Sequence, residues 1–195
     1  MLAIQSGSTR PQLAEAQFLA RVRRLGLVKH PSDTTEAAMR SLILHGLCRT
    51  PAEQWLALGP AQAEARAELL TETYRRLEEC PTPTTEWQGL RELLGDELLA
   101  PLVAVSLPSL RRYAKGERVC PDRVAARLHW LALLIDHLEG SYNPYGIRRW
   151  FQRPRSALGG QAPHERLHGD WDPDEATVQA VLGLAEATRL GMTAS

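Results

Sequence analysis

The sequence predicts an all-α protein, and three observations carry that expectation. Apolar residues recur at three- and four-residue intervals, the period of one helix face. Proline marks helix starts, at Thr50-Pro51, at Ser106 with Pro108, and at Pro163, because the first helical turn loses no hydrogen bond to it. Glycines such as Gly26 and Gly116 follow periodic runs as stops. The 195 residues suffice for one large domain or two small ones. Three parts are expected: a helical N-terminal region over 1–80, a helical domain over 84–140 and a small helical domain over 141–195.

Residues 1–9 are small and polar, as a frayed tail would be. Pro11 opens a helix to about Leu25, with Ala14, Phe18, Val22 and Leu25 on one stripe. Asp33 and Glu36 have the spacing of a capping box, before a helix with Met39, Leu42, Ile43 and Leu47 inward. Thr50-Pro51 starts the next, with Trp55, Leu56 and Leu58, and Gly59-Pro60 breaks the chain. A long helix then aligns Leu70, Tyr74 and Leu77 over 61–79. Pro81 and Pro83 disfavour helix and mark a linker. Thr85 and Gln88 suggest another capping box, leading into Trp87, Leu90, Leu93 and Leu94.

Residues 96–118 read DELLAPLVAVSLPSLRRYAKGER. Leu98, Leu99, Leu102 and Val105 recur at helical spacing. Ser106 is placed to cap a second helix, Pro108 suits its first turn, and Gly116 stops it. Leu110 and Tyr113 share its inner face, leaving Ser109, Arg111, Arg112 and Lys115 on the outer one. Helix, tight turn and basic second helix are the grammar of a helix-turn-helix. From 121 to 138 a further helix carries Val124, Leu128, Leu131, Leu134, Ile135 and Leu138. Its apolar face is broad enough to point to a homodimer. Residues 140–146 form a turn-rich joint, and 147–167 read IRRWFQRPRSALGGQAPHERL. Gly159-Gly160 permits a sharp reversal with positive φ. A closing helix carries Val178, Val181, Leu182 and Leu184, after an acidic start at Asp172, Asp174 and Glu175.

The order Ala100, Val105-Ser106, Leu110, Tyr113 and Lys115-Gly116-Glu117-Arg118 resembles the Xre-type helix-turn-helix. Trp150-Phe151, Pro154, Leu158-Gly159-Gly160, Pro163 and Leu167, in that order, resemble the toxin-binding domain of the MbcA/ParS/Xre antitoxin family. Together the two resemblances span about 110 residues in the family's order. They imply an antitoxin of a type II toxin–antitoxin system. Its expected partners are a cognate RES-type toxin, which consumes NAD and is inhibited by occlusion of its active-site entrance, and operator DNA. The alternative is a stand-alone DNA-binding repressor. Expected DNA contacts are Ser106, Ser109, Arg111, Arg112, Lys115 and Arg118. Expected toxin contacts are Trp150, Arg153, Arg155, Leu158, Gly159, Gly160, Pro163 and Asp172, although Trp150 and Phe151 also read as core. Two positions depart from the pattern. Ala104 stands where the turn usually has Gly, which is tolerable if φ stays negative. Pro101 falls inside the first helix, unless that helix starts only at Ala100.

Charge sharpens the picture. The chain has 23 basic and 23 acidic residues, yet they are not evenly spread. Residues 107–129 hold Arg111, Arg112, Lys115, Arg118, Arg123 and Arg127 against Glu117 and Asp122. The last stretch holds Asp170, Asp172, Asp174, Glu175 and Glu186 against Arg189. One basic and one acidic surface are expected. Three cysteines without CxxC spacing argue against a disulfide framework or a zinc motif and fit a reducing cytoplasm. No run approaches membrane-spanning length, and the first residues lack the apolar core of a signal peptide. His164 and His168 are four apart without a third ligand, so they read as structural or surface residues. Arg118 and Arg123 beside Cys120 suggest a lowered thiol pKa. No catalytic constellation, metal site or cofactor is expected.

Overall fold

The computed structural model describes residues 10–28, 30, 32–139 and 141–189. The expected N-terminal tail and Gly140, part of the expected joint, lie outside the described residues. Among the described residues the protein is all-α, without strands. No described helix is long and apolar enough to cross a membrane. The chain divides into two compact units, Met1–Cys80 and Pro81–Ser195, so the proline linker falls where the sequence marks it.

The first unit contains α1 (Arg10–Arg24), α2 (Thr35–Leu44), α3 (Arg49–Ala57) and α4 (Ala63–Glu79). Helix α1 packs on α4, and α2 and α3 on each other. Phe18, Val22, Leu25, Met39, Leu42, Trp55, Leu70 and Leu77 form the core. Gly26, at φ 68°, ends α1 in the left-handed conformation. The next N–H, that of Leu27, bonds back to the Val22 carbonyl at 3.0 Å, as in a Schellman close. The cap of α2 falls one residue later than expected. Thr34 accepts from the Ala37 N–H at 3.2 Å, while the Asp33 carboxylate accepts from the His30 N–H at 2.7 Å.

The second unit contains α5 (Pro83–Leu94), α6 (Asp96–Leu102), α7 (Leu107–Ala114), α8 (Asp122–Glu139), α9 (Pro144–Gln152), a 3-10 turn at Ser156–Leu158, α10 (Pro163–Arg166) and α11 (Ala176–Arg189). The expected Thr85–Gln88 box is replaced. The Glu86 carboxylate accepts from the Thr82 N–H at 3.3 Å and also meets His129 Nδ1 at 2.6 Å, fully inside the unit. Gln88 instead pairs with Glu92.

Helix α8 is the central rod, with α5, α9 and α11 packed on it. Leu128, Leu131, Leu134, Ile135 and Leu138 are fully buried within one chain, each contributing about 1.5–3 kcal/mol. The broad apolar face of α8 is thus covered by the chain's own helices, and the premise for a second subunit does not hold. Nor are 84–140 and 141–195 separate domains: a single hydrophobic cluster runs from Trp87 through Leu138 to Ala185.

Candidate functional site

Helices α6 and α7 are joined by a four-residue turn, Val103 to Ser106. Helix α6 begins at Asp96, so Pro101 does lie inside it. The ring sits on the exposed side and removes one N–H from the ladder. The helix ends in a Schellman pattern, with the Val105 N–H bonded to the Ala100 carbonyl at 3.0 Å. Ala104 takes the left-handed position, at φ 56°. The φ is positive, so the condition for an easy alanine is not met: the turn keeps its glycine-like geometry with a residue that has a Cβ. Ser106 caps α7 as expected, accepting from the Ser109 N–H at 3.3 Å. Its hydroxyl donates to Ser109 Oγ at 3.0 Å. Leu110 and Tyr113 face inward, and Tyr113 stacks on Trp87 with ring centroids 6.2 Å apart. Gly116, at φ 71°, closes α7.

The cations here are unequal. Asp96 receives Arg91 through Nε at 2.7 Å and Nη2 at 3.2 Å, and Arg111 through Nε at 3.1 Å. Hydrogen bonds from Arg91 and then Arg111 hold the Asp96 carboxyl below its ordinary pKa. Lys115 lies 3.6 Å from Glu117. Arg118 stands over the Tyr113 ring at 5.4 Å. Arg112 is exposed and meets no carboxylate. Arg127 leaves the surface altogether: it is buried, donating to the Trp171 carbonyl at 2.7 Å and to Asp170 at 2.6 Å. Arg123 also pairs with Asp170, at 2.8 Å. The basic surplus of 107–129 is therefore largely neutralised, and Ser109, Arg112, Lys115 and Arg118 remain on the outer side of α7 and its exit.

The C-terminal segment starts with Asn143, which accepts from the Gly146 N–H at 2.8 Å ahead of Pro144. Ile147, Trp150 and Phe151 turn inward, Trp150 and Phe151 meeting edge-to-face at 5.3 Å. Arg155 lies over Trp150 at 5.5 Å. Gly159 at φ 67° and Gly160 at φ 84° make the reversal, and the Arg155 N–H closes it on the Gln161 carbonyl at 3.0 Å. Arg166 ties the turn down through the Leu158 carbonyl, 3.1 Å from Nη2. His164 Nδ1 lies 2.9 Å from the Phe151 carbonyl.

The expected toxin contacts thus split. Trp150, Leu158 and Pro163 are buried and shape the segment from within, so burial excludes them as direct contacts. Arg153, Gly159, Gly160 and Asp172 are on the surface, and Arg155 is half-buried. Asp172 Oδ1 accepts from the Asp174 N–H at 3.0 Å, so its carboxylate also shapes the approach to α11.

Trp171 is the residue that the sequence reading missed. Its indole N–H donates to the Leu102 carbonyl at 2.9 Å, at the end of α6, and its ring meets Trp130 at 5.2 Å. A tryptophan next to an acidic run is the only trace of this in the sequence. Cys120 also departs from expectation: burial, with Glu86 and Asp122 nearby, pushes its thiol pKa up. No protein family, curated protein or solved structure matches the chain.

Proposed function

We propose that this chain is a type II antitoxin, with α7 read against operator DNA and the surface around Gly159, Gly160 and Asp172 set against a RES-type toxin that consumes NAD. The single observation that carries the reading is the α6–α7 geometry. Two short helices meet at a left-handed turn, Ser106 caps the second, Leu110 and Tyr113 lock its inner face, and Ser109, Arg112, Lys115 and Arg118 are left outward. That arrangement suits a helix entering the major groove. The acidic start of α11, with Asp172, Asp174 and Glu175 exposed, has the sign to face the basic mouth of an enzyme that takes an anionic dinucleotide.

The toxin half is tested by co-expression with the product of the neighbouring gene. Full-length protein should rescue growth and co-purify with that product, while Asp174→Lys with Glu175→Lys should do neither and still bind DNA. Equal rescue by the charge-reversed variant removes the acidic surface from the toxin contact. If no neighbouring product is bound and DNA binding persists, the stand-alone repressor reading replaces this one.

A further inference from the structure

Apart from Arg112 and Arg118 of the helix-turn-helix, the positive charge of the second unit that meets no carboxylate among the described residues lies on and just beyond α9. Residues 144–167 contain Arg148, Arg149, Arg153, Arg155 and Arg166, with Glu165 as the only carboxylate. Glu165 is already engaged, accepting from the Ala162 N–H at 2.6 Å. Among the described residues none of the five arginines meets a carboxylate, in contrast to Arg91, Arg111, Lys115, Arg123 and Arg127. Arg149 and Arg153 are exposed, and the exposed Tyr145 ring lies beside Arg149, its hydroxyl 3.4 Å from Nη1.

This surface adjoins the helix-turn-helix. Arg148 Nη1 donates to the Leu93 carbonyl at 2.7 Å, capping the C-terminal end of α5. Three residues on, Asp96 holds Arg111 of α7. The attachment points of α9 and α7 are therefore within about 11 Å of one another along the chain. A duplex engaged by α7 carries one phosphate charge per roughly 1.7 Å of axis, a dense line of anions for any cations anchored this near the reading helix. Guanidiniums suit phosphate oxygens through their fixed fork of donors.

We propose that the exposed face of α9, through Arg149 and Arg153, grips the sugar–phosphate backbone of the same duplex that α7 reads. The assignment rests on the DNA half of the function proposed above. It takes Arg153 out of the toxin contacts and gives the segment 144–153 a nucleic-acid role. Because the contact is to phosphate, it is blind to sequence.

The test uses the full-length chain and two labelled duplexes, the stretch immediately upstream of its own coding sequence and a scrambled one of equal length, titrated over a salt series. Arg149→Ala with Arg153→Ala should weaken binding to both duplexes alike and flatten the log–log salt slope by about 1.8, two phosphate contacts' worth. Arg149→Lys with Arg153→Lys should restore most of that slope. Ser109→Ala with Arg112→Ala in α7 should instead erode the preference for the upstream duplex. A wild-type slope in the α9 alanine variant, with the α7 variant weakened, overturns this assignment alone. Loss in the α9 variant with the α7 variant unaffected leaves no reading helix on the duplex and overturns both the helix-turn-helix reading and the shared-duplex assignment. No binding by the wild-type chain to either duplex overturns both. If the α9 alanine variant binds DNA normally but no longer co-purifies with an acidic protein, the face belongs to that protein and the assignment falls.

Discussion

Ala104 holds its backbone at φ 56° with a Cβ that clashes there, a cost of about 1–2 kcal/mol. Glycine relieves that cost but gives back part of it as unfolded-chain entropy. Ala104→Gly should therefore raise stability by about 0.5–1 kcal/mol, read as a shifted urea midpoint with an unchanged slope. Arg127 carries the opposite lesson. In the sequence it is one more basic residue among six. In the fold it is the buried clamp between α8 and the loop before α11. Its partners, Asp170 and Trp171, lie more than forty residues away, which no local pattern could announce. Arg127→Ala should cost about 2–3 kcal/mol, the worth of hydrogen bonds to a charged group. Asp170 is held below its ordinary 3.8 first by the Arg127 hydrogen bond and then by Arg123. A carboxylate whose folded pKa is depressed adds stability above its unfolded value, and that stability is lost as pH falls through the folded one. Stability followed below about pH 4 should fall progressively in the wild type, and Asp170→Asn should remove that share of the slope.

At the scale of elements, the helix stripes and the Ser106 cap were legible, and the caps of α2 and α5 were not. Phe18, Val22 and Leu25 on α1, or Leu110 and Tyr113 on α7, are buried where their spacing puts them. Ser106 caps α7 with its hydroxyl oxygen accepting from the Ser109 N–H while its O–H donates to Ser109 Oγ. Asp33 and Thr85 fail as caps for a physical reason: the Asp33 carboxylate is taken by the His30 N–H, and Glu86, held by His129, takes over the start of α5. A cap is a competition among acceptors for the first N–H groups, and at α5 the winning carboxylate is held in place by a histidine from another helix. The reversal between the 3-10 turn and α10 is the most sequence-determined piece of the candidate site. Gly160 is at φ 84° with open space around its missing Cβ, so the barrier to substitution is conformational and not steric. Gly160→Val should cost about 1–2 kcal/mol and blunt rescue in the co-expression assay. Gly160→Asn should be milder, because Asn tolerates the left-handed region. Thermal melts of both variants check the order.

For the whole molecule, the boundary at Cys80-Pro81 was readable because two prolines write it in local chemistry. The absence of a boundary near 140 was not, because Trp171 on Leu102 and α11 on α8 are long-range contacts. Truncation after residue 140 should therefore strip the cover from Trp130, Leu134 and Leu138 and abolish the cooperative melt of the second unit while the first keeps its own. A fragment of residues 81–195 should fold alone, with one sharp transition by circular dichroism. An unfolded 81–195 fragment would contradict the single core drawn for it. The indoles add a practical corollary. Trp87, Trp130, Trp150 and Trp171 are all in the second unit, and Trp55 alone is in the first, beneath the Arg66 guanidinium at 3.7 Å. Intrinsic ultraviolet emission is thus weighted heavily toward one half of the protein. Where the fluorescence and far-ultraviolet curves of an unfolding experiment part company, the difference is the first unit unfolding out of sight of the light.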